Sequence, residues 1–234
     1  MKKLVVSVFA GAIALVAAPS AKADLIDAWD FLNLPATTTT TATPSTIAAT
    51  VGTGSIDISA FGLGSPQGTS PERTAFTGTA VDNAFLGSDV TTATPTQMAL
   101  SFANSTANGK SMIISFSTLG FSGLELSFAT RGTATGFNSQ SWAWSTDGVN
   151  YTSVGANTAN NTSTWLVKTV SFGSSLDNVA TAYIKLTFAG AMAASGNNRL
   201  DNIQFNAAPV PEPSTLALAT LGGVACLFAL RRKR

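Results

Sequence analysis

The chain has 234 residues, of which 45% are hydrophobic and 11% are charged, and it contains no histidine and one cysteine. Without histidine, Ser-His-Asp and Cys-His catalysis are excluded, and the lone Cys226 excludes an internal disulfide and a zinc finger. Between Asp24 and Pro209, eleven acidic residues outnumber six basic ones. This span therefore carries a net charge of about −5, which argues against binding to nucleic acid.

The N-terminus has the organisation of a secretory signal peptide. Lys2 and Lys3 precede an apolar stretch over residues 4–18, and small residues follow at Ala21 and Ala23. Leaders of this kind are removed by signal peptidase, so we predict a signal peptide over residues 1–23 and export of the remaining chain. The exported chain must then be stable without disulfides.

Residues 36–50 form a threonine-rich segment in which eight of the fifteen residues are threonine. The segment has no apolar periodicity, and a bias of this kind is typical of irregular structure. We therefore predict a loop or linker here, within a domain that spans residues 24–209.

The rest of that domain is a series of short runs in which apolar and polar residues alternate. Ala28–Phe31 is the first run, and the apolar positions of later ones include Ile56, Ile58, Met98, Leu100, Phe102, Met112, Ile114, Phe116, Leu124, Leu126, Phe128, Leu166, Val170, Phe172, Ala182, Ile184, Leu186 and Phe188. A period of two is typical of half-buried strands. Turn-forming pairs such as Asn108-Gly109, Ser122-Gly123 and Asp147-Gly148 separate the runs. We predict an all-β, antiparallel β-sandwich, and expect a jelly roll.

Two local patterns refine this prediction. Residues 141–152 place Asp147-Gly148 between two strand-like runs, a strong hairpin signal because glycine accepts the positive φ of a tight turn. Residues 196–205 contain Arg199-Leu200-Asp201-Asn202-Ile203. These segments resemble the Ser-x-Asp-Gly hairpin and the closing strand of galactose-binding-like domains in secreted bacterial proteins. The resemblance implies a fold more than an activity.

The same resemblance implies a structural calcium ion, held by carboxylates. The first and last strands of a jelly roll commonly neighbour one another, so Asp30 could approach Asp201. Calcium needs only oxygen ligands, which suits an exported chain without histidine. The alternative is that Asp201 caps or pairs with a neighbour such as Arg199 at the surface, and that Asp30 lies on a solvated face.

Aromatic residues of the domain are candidates for stacking on sugar rings. The four candidates are Trp142, Trp144, Tyr151 and Trp165. For Trp142 and Trp144, which alternate with small residues, packing in the core is the favoured explanation.

The C-terminus combines a polar motif, an apolar stretch and a basic end. The motif is Val210, Pro211, Glu212, Pro213 and Ser214; fifteen mostly apolar residues follow at 216–230; the basic end is Arg231, Arg232, Lys233 and Arg234. We predict a short transmembrane helix over 216–230, whose basic end anchors the topology by staying on the cytoplasmic side.

At residues 210–234 the chain resembles the PEP-CTERM family of exported bacterial proteins. That resemblance implies that an exosortase, an integral membrane protein, recognises and processes the tail in bacteria that make extracellular polysaccharide. We expect a transient stay in the inner membrane, followed by location at the cell surface or outside the cell.

Three functions compete for the domain itself. The favoured one is a non-catalytic surface or extracellular-matrix protein associated with exopolysaccharide, and the alternative is a carbohydrate-binding module. A glycosidase with paired carboxylates is disfavoured, because the acidic residues are scattered and many lie beside turns. We therefore expect no enzymatic activity and no certain cofactor.

Overall fold

The computed structural model of the chain describes residues 23–32, 34–37, 42–63, 71–79, 81–85, 97–158, 161–210 and 222–223. Within them, β-strands account for the regular structure apart from a 3-10 turn at Ser105–Ala107 and a helical pair at Gly222 and Gly223. The strands are β1 (Asp24–Trp29), β2 (Thr46–Ala48), β3 (Ser55–Asp57), β4 (Arg73–Thr77), β5 (Met98–Ala103), β6 (Ser111–Phe116), β7 (Phe121–Gly132), β8 (Ser139–Ser145), β9 (Thr152–Thr158), β10 (Leu166–Ser171), β11 (Ala182–Ala189) and β12 (Asn197–Pro209).

These strands pair into two antiparallel sheets that pack as a sandwich. The first sheet has the order β10-β7-β12-β5-β4, and β1 also pairs with β12; the second has the order β2-β3-β6-β11-β8-β9. From β5 to β8, and again from β9 to β12, consecutive strands alternate between the two sheets. The predicted all-β antiparallel sandwich is confirmed.

The alternation in the sequence places one face of each strand in the core. In β11, Ile184 and Leu186 are fully buried, whereas Tyr183 and Lys185 lie half-buried on the outer face. β11 lies between β6 and β8, so its inward residues meet apolar neighbours on both sides. Burial of each such side chain contributes about 2 kcal/mol.

Aromatic rings join the two sheets across the core. Phe102 of the first sheet lies 4.4 Å from Phe188 of the second, and Phe205 lies 4.2 Å from Phe116, measured between ring centroids. Phe102, Phe188 and Phe205 are completely buried. Such pairs add about 1 kcal/mol each beyond the area they bury, so they help to fix how the sheets face one another.

The threonine-rich segment, which we predict to be a loop or linker, combines irregular backbone with one short strand in the part that the structure describes. β2 lies within it and pairs with β3, and Ile47 packs against the core. Thr43 is buried, and its hydroxyl donates a 2.7 Å hydrogen bond to the carbonyl of Pro35. Threonine is β-branched and favours strands, while its hydroxyl pairs with the backbone, so a polar composition is compatible with packed structure. Residues 38–41 lie outside the described residues.

The predicted turns are located as follows. Asp147-Gly148 joins β8 to β9, as expected, and Asn108-Gly109 lies where the chain crosses from β5 to β6. Ser122-Gly123 is not a turn: it lies inside β7, where Gly123 has a φ of +68°. The register between β7 and β12 shifts there, so the glycine serves an irregularity within the strand.

Most residues of the two predicted terminal segments lie outside the residues that the structure describes. Of the signal peptide at 1–23, only Ala23 is described, and the structure begins its first strand at Asp24. Gly222 and Gly223 are helical within the predicted span at 216–230. The described residues contain no helix that is both long enough and apolar enough to cross a membrane.

Candidate functional site

The sorting motif begins where the sandwich ends. β12 ends at Pro209, and the amide of Val210 donates a 2.7 Å hydrogen bond to the carbonyl of Gly120. The remaining predicted tail residues, which are Pro211, Glu212, Pro213, Ser214, Arg231, Arg232, Lys233 and Arg234, lie outside the described residues. The exposed Val210 therefore marks the point where the chain leaves the last strand.

The structure brings the first and last strands together, as the sequence predicted. β12 pairs with β7 on one side; on the other side it pairs first with β5, up to Leu200, and then with β1, from Ile203. Asp201 and Asn202 lie between these two partners. Asn202 has a φ of +47°, which accompanies the local shift in register.

A loop, described at residues 78–79 and 81–85, occupies this gap and binds the polar side chains of β12. Asp201 accepts a 2.7 Å hydrogen bond from the amide of Thr79 and a 2.9 Å bond from the amide of Asn202. The Asn202 side chain in turn donates to the carbonyls of Thr79 and Asp82, at 3.0 and 2.9 Å. The side chains of Asp201 and Asn202 thus hold this loop against β12, so Asp201 has a structural role. It does not form the alternative ion pair with Arg199 among the described residues.

The electrostatics of Asp201 follow from its burial, because only 1% of the residue is exposed. Burial raises its pKa to about 8, hydrogen bonds from Thr79 and Asn202 oppose that rise, and the carboxylates of Asp30 and Asp82 reinforce it. Burial therefore favours the protonated form of the Asp201 carboxyl in the folded chain.

The described donor set does not fit the calcium site expected at Asp30 and Asp201. Both oxygens of Asp201 accept backbone N–H groups, and Asp30 Oδ1 accepts the Thr50 hydroxyl at 2.9 Å and the Leu32 amide at 3.3 Å. Among the described residues, no three acidic, histidine or cysteine side chains are grouped so that they could hold a metal ion. Calcium takes six to eight oxygen ligands, so this arrangement of Asp30 and Asp201 does not fit a calcium site.

Trp142 and Trp144 both face the interior of the sandwich. Trp142 is 1% exposed, and its ring centroid lies 5.3 Å from that of Phe128 in the opposite sheet. Trp144 is half-buried and packs against the same core. Trp142 is therefore a core residue whose faces a sugar cannot reach, and Trp144 has one side against the core.

Tyr151 directly precedes β9, at the end of the turn that joins it to β8, and already has a partner on one face. The ammonium of Lys185 lies 3.9 Å from the centre of its ring, close enough for a cation–π interaction. The hairpin itself is held by Asp147, whose carboxylate accepts the side-chain amide of Asn150 and the backbone amides of Val149 and Asn150. These hydrogen bonds hold the pKa of Asp147 well below its usual value, and the bond from the Asn150 side chain contributes most.

Trp165 lies on the outer face of the first sheet, beside a residue that sequence reasoning missed. The guanidinium carbon of Arg131 is 5.7 Å from its ring centroid. Arg199 lies directly opposite Arg131 in the register of β7 and β12, and its guanidinium carbon is 4.7 Å from the ring centroid of Phe76. Burial, and then the neighbouring Arg131, lower the pKa of Arg199. The register of the strands brings these side chains together, and no local feature of the sequence indicates that register.

An open cleft of about 460 Å³ lies beside Asp30. Its lining residues are Trp29, Asp30, Phe31, Leu32, Leu34, Pro35, Pro44, Ile47, Ala48 and Thr50. Trp29 and Phe31 are 1% and 5% exposed, so the cleft offers little aromatic surface. Its one charged group, Asp30, already accepts two hydrogen bonds. The cleft is therefore a weaker candidate than the outer face of the first sheet.

Comparison with known proteins separates the tail from the sandwich. The model of the PEP-CTERM protein-sorting motif matches residues 209–234. No curated protein matches the chain.

Three solved structures illustrate the likeness of the sandwich. TmCBM61 in complex with β-1,4-galactotriose has a TM-score of 0.37 and 16% identity, over 57% of this chain and 81% of that one. The CBM22-1 xylan-binding domain of Paenibacillus barcinonensis Xyn10C has a TM-score of 0.35 and 16% identity, over 62% and 91%. The K3 cleaved adhesin domain of Lys-gingipain from Porphyromonas gingivalis has a TM-score of 0.36 and 14% identity, over 53% and 76%. At these values the likeness carries no argument about a ligand.

The tail match agrees with the polar motif, apolar stretch and basic end of the sequence. Such a motif implies an exported, cell-surface-associated protein that is processed by an exosortase. The chain therefore ends in a PEP-CTERM protein-sorting motif.

Proposed function

We propose that the protein is a non-catalytic surface or extracellular-matrix protein that associates with exopolysaccharide after exosortase processing. The observation that carries this proposal is the direct succession of the last strand and the sorting motif: β12 ends at Pro209, and the motif match begins at that residue. Export thus delivers the sandwich with the sorting motif attached directly to its last strand. The alternation of consecutive strands between sheets supports the finer assignment of a jelly-roll, galactose-binding-like fold.

The structural roles of four acidic side chains support the proposal that the protein is non-catalytic. Asp27 accepts the amide of Gly54, Glu72 pairs with Lys110, and Asp147 holds a hairpin. Asp201 holds the loop through the amide of Thr79. A glycosidase needs two carboxyl groups that face the substrate, whereas these four are engaged in holding the fold.

A carbohydrate-binding module is the second candidate, and Trp165 is the observation that favours it. Trp165 is half-buried on the outside of the first sheet, next to Arg131. An aromatic face beside a cation can support a sugar ring while a polar group contacts its substituents. This candidate adds a specific ligand to the matrix function.

The proposal is tested in the producing bacterium by comparing cells with and without exopolysaccharide. We expect the processed protein to stay in the extracellular matrix of the first and to pass into the medium of the second. An unchanged distribution would contradict the association with polysaccharide. Release of new reducing ends from purified exopolysaccharide by the protein would contradict its non-catalytic character.

A further inference from the structure

Two arginines lie side by side on the outer face of the first sheet, and no carboxylate of the described residues forms an ion pair with either of them. Arg131 of β7 and Arg199 of β12 are directly opposite in the antiparallel register. Their neighbours Thr130 and Leu200 are buried, so the two arginines point outward. Like charges directly opposite destabilise a sheet. In the described ranges the one ion pair is Glu72–Lys110, so none of the described acidic side chains forms an ion pair with either arginine.

This juxtaposition is unusual for the composition of the domain. Only six basic residues stand against eleven acidic ones between Asp24 and Pro209, yet two of the six adjoin each other. The nearest acid along β12, Asp201, is buried, and its oxygens accept the amides of Thr79 and Asn202. The arginines thus form a positive patch on an otherwise acidic domain, and an anion from outside would relieve their repulsion.

Aromatic rings lie at both ends of this pair. Trp165 directly precedes β10, beside Arg131, and Phe76 lies on β4, beside Arg199, with 38% of its surface exposed. The row crosses β4, β5, β12, β7 and β10, a width of about 19 Å at the usual spacing of strands. Arg199 is held in place because its Nη1 donates a 3.0 Å hydrogen bond to the carbonyl of Thr77.

We propose that Arg131 and Arg199, flanked by Trp165 and Phe76, bind a polysaccharide that carries carboxylate groups, such as a polymer of uronic acids. A guanidinium donates two parallel hydrogen bonds to a carboxylate, which a neutral sugar cannot replace. The flanking rings offer faces to the sugar rings on either side. The inference rests on the proposed association with exopolysaccharide and specifies its chemistry.

The test measures binding of the protein, purified in mild detergent, to three polymers by affinity electrophoresis. The probes are polygalacturonate, its fully methyl-esterified form and dextran sulfate. We expect binding to polygalacturonate that esterification abolishes and that dextran sulfate does not match. Binding to polygalacturonate should weaken by about tenfold or more in Arg131→Gln, the loss expected for hydrogen bonds to a charged group. Trp165→Ala should also weaken it.

Two further variants keep the test specific. Lys185→Gln removes one positive charge from the outer face of the second sheet and should bind as the wild type does. Arg131→Lys keeps the charge and the aliphatic stem and loses the planar fork, so it should bind less tightly than the wild type even if Arg131→Gln folds poorly. Thermal midpoints of all variants report whether they are folded.

Three results would overturn the inference. These are unchanged affinity in both Arg131 variants, an equal loss in Lys185→Gln, or equal binding of the esterified polymer or dextran sulfate. If any of these occurs while the protein still stays in its own matrix, the proposed function stands and only the acidic-ligand site fails. If the protein does not stay in the matrix, the proposed function fails first.

Discussion

The folded sandwich should lose stability as the pH rises from about 4 to about 8, because of Asp201. Its pKa is raised from an ordinary 3.8 to about 8, mainly by burial. Between these values the folded chain holds a proton that the unfolded chain has released, so the free energy of unfolding falls with rising pH and levels off above pH 8. One pKa unit corresponds to about 1.4 kcal/mol, which sets a ceiling of about 6 kcal/mol on the loss.

Asp201→Asn isolates this effect, since an amide of the same shape cannot ionise. Urea unfolding of residues 24–209, which contain the described strands, gives the free energy of unfolding at pH 4.5, 6 and 8 for both proteins. The wild type should lose several kcal/mol relative to the variant over this range. Burial also raises the pKa of Asp27, but that contribution is common to both proteins and cancels in the difference.

Glu125→Gln, which removes an exposed acid on the same sheet, is the matched control and should behave as the wild type does. Parallel pH profiles for the wild type and Asp201→Asn would refute the reasoning. They would mean that Asp201 is ionised in the folded protein, with a partner that stabilises its charge.

Three other outcomes follow from the same contacts. Thermal midpoints in millimolar calcium and in chelator should coincide, and a calcium-dependent rise that Asp201→Asn removes would restore the ion. Trp142→Ala should lower the free energy of unfolding by about 3–5 kcal/mol because it leaves a cavity in the core, whereas Trp165→Ala should lower it by less than about 1 kcal/mol. Equal losses in calorimetry would contradict the placement of the two side chains. Gly78→Ala should lower the melting temperature, since its Cβ would collide with Asp201 Oδ2 and the backbone of Met98.

The strands could be predicted from the sequence because their inner faces are apolar with a period of two. β6, with Met112, Ile114 and Phe116 all buried, shows this directly. The same signal failed in the threonine-rich segment, where β2 is only three residues long and lies at the sheet edge. A short edge strand buries little, so its residues need no apolar alternation.

The candidate site was less predictable, because its residues come together only through the pairing of neighbouring strands within a sheet. The neighbourhood of Asp30 and Asp201 followed from the general topology of such sandwiches, and β1 does pair with β12. The pairing of Arg131 with Arg199 depends on the exact register of β7 and β12, which sequence alternation does not contain. Trp165 could be named as aromatic, but only the register shows that an arginine lies beside it.

The central claim is that the tail directs processing of the exported sandwich by an exosortase, and intact mass measures this most directly. Native protein from the cell surface or medium should have a lower mass than residues 24–234, because the exosortase has acted on its C-terminus. Replacement of Pro211, Glu212 and Pro213 by alanine should leave an unshortened C-terminus in the inner membrane. Native protein that retains Arg234 outside the cell, or an alanine variant processed as efficiently as the wild type, would contradict the account.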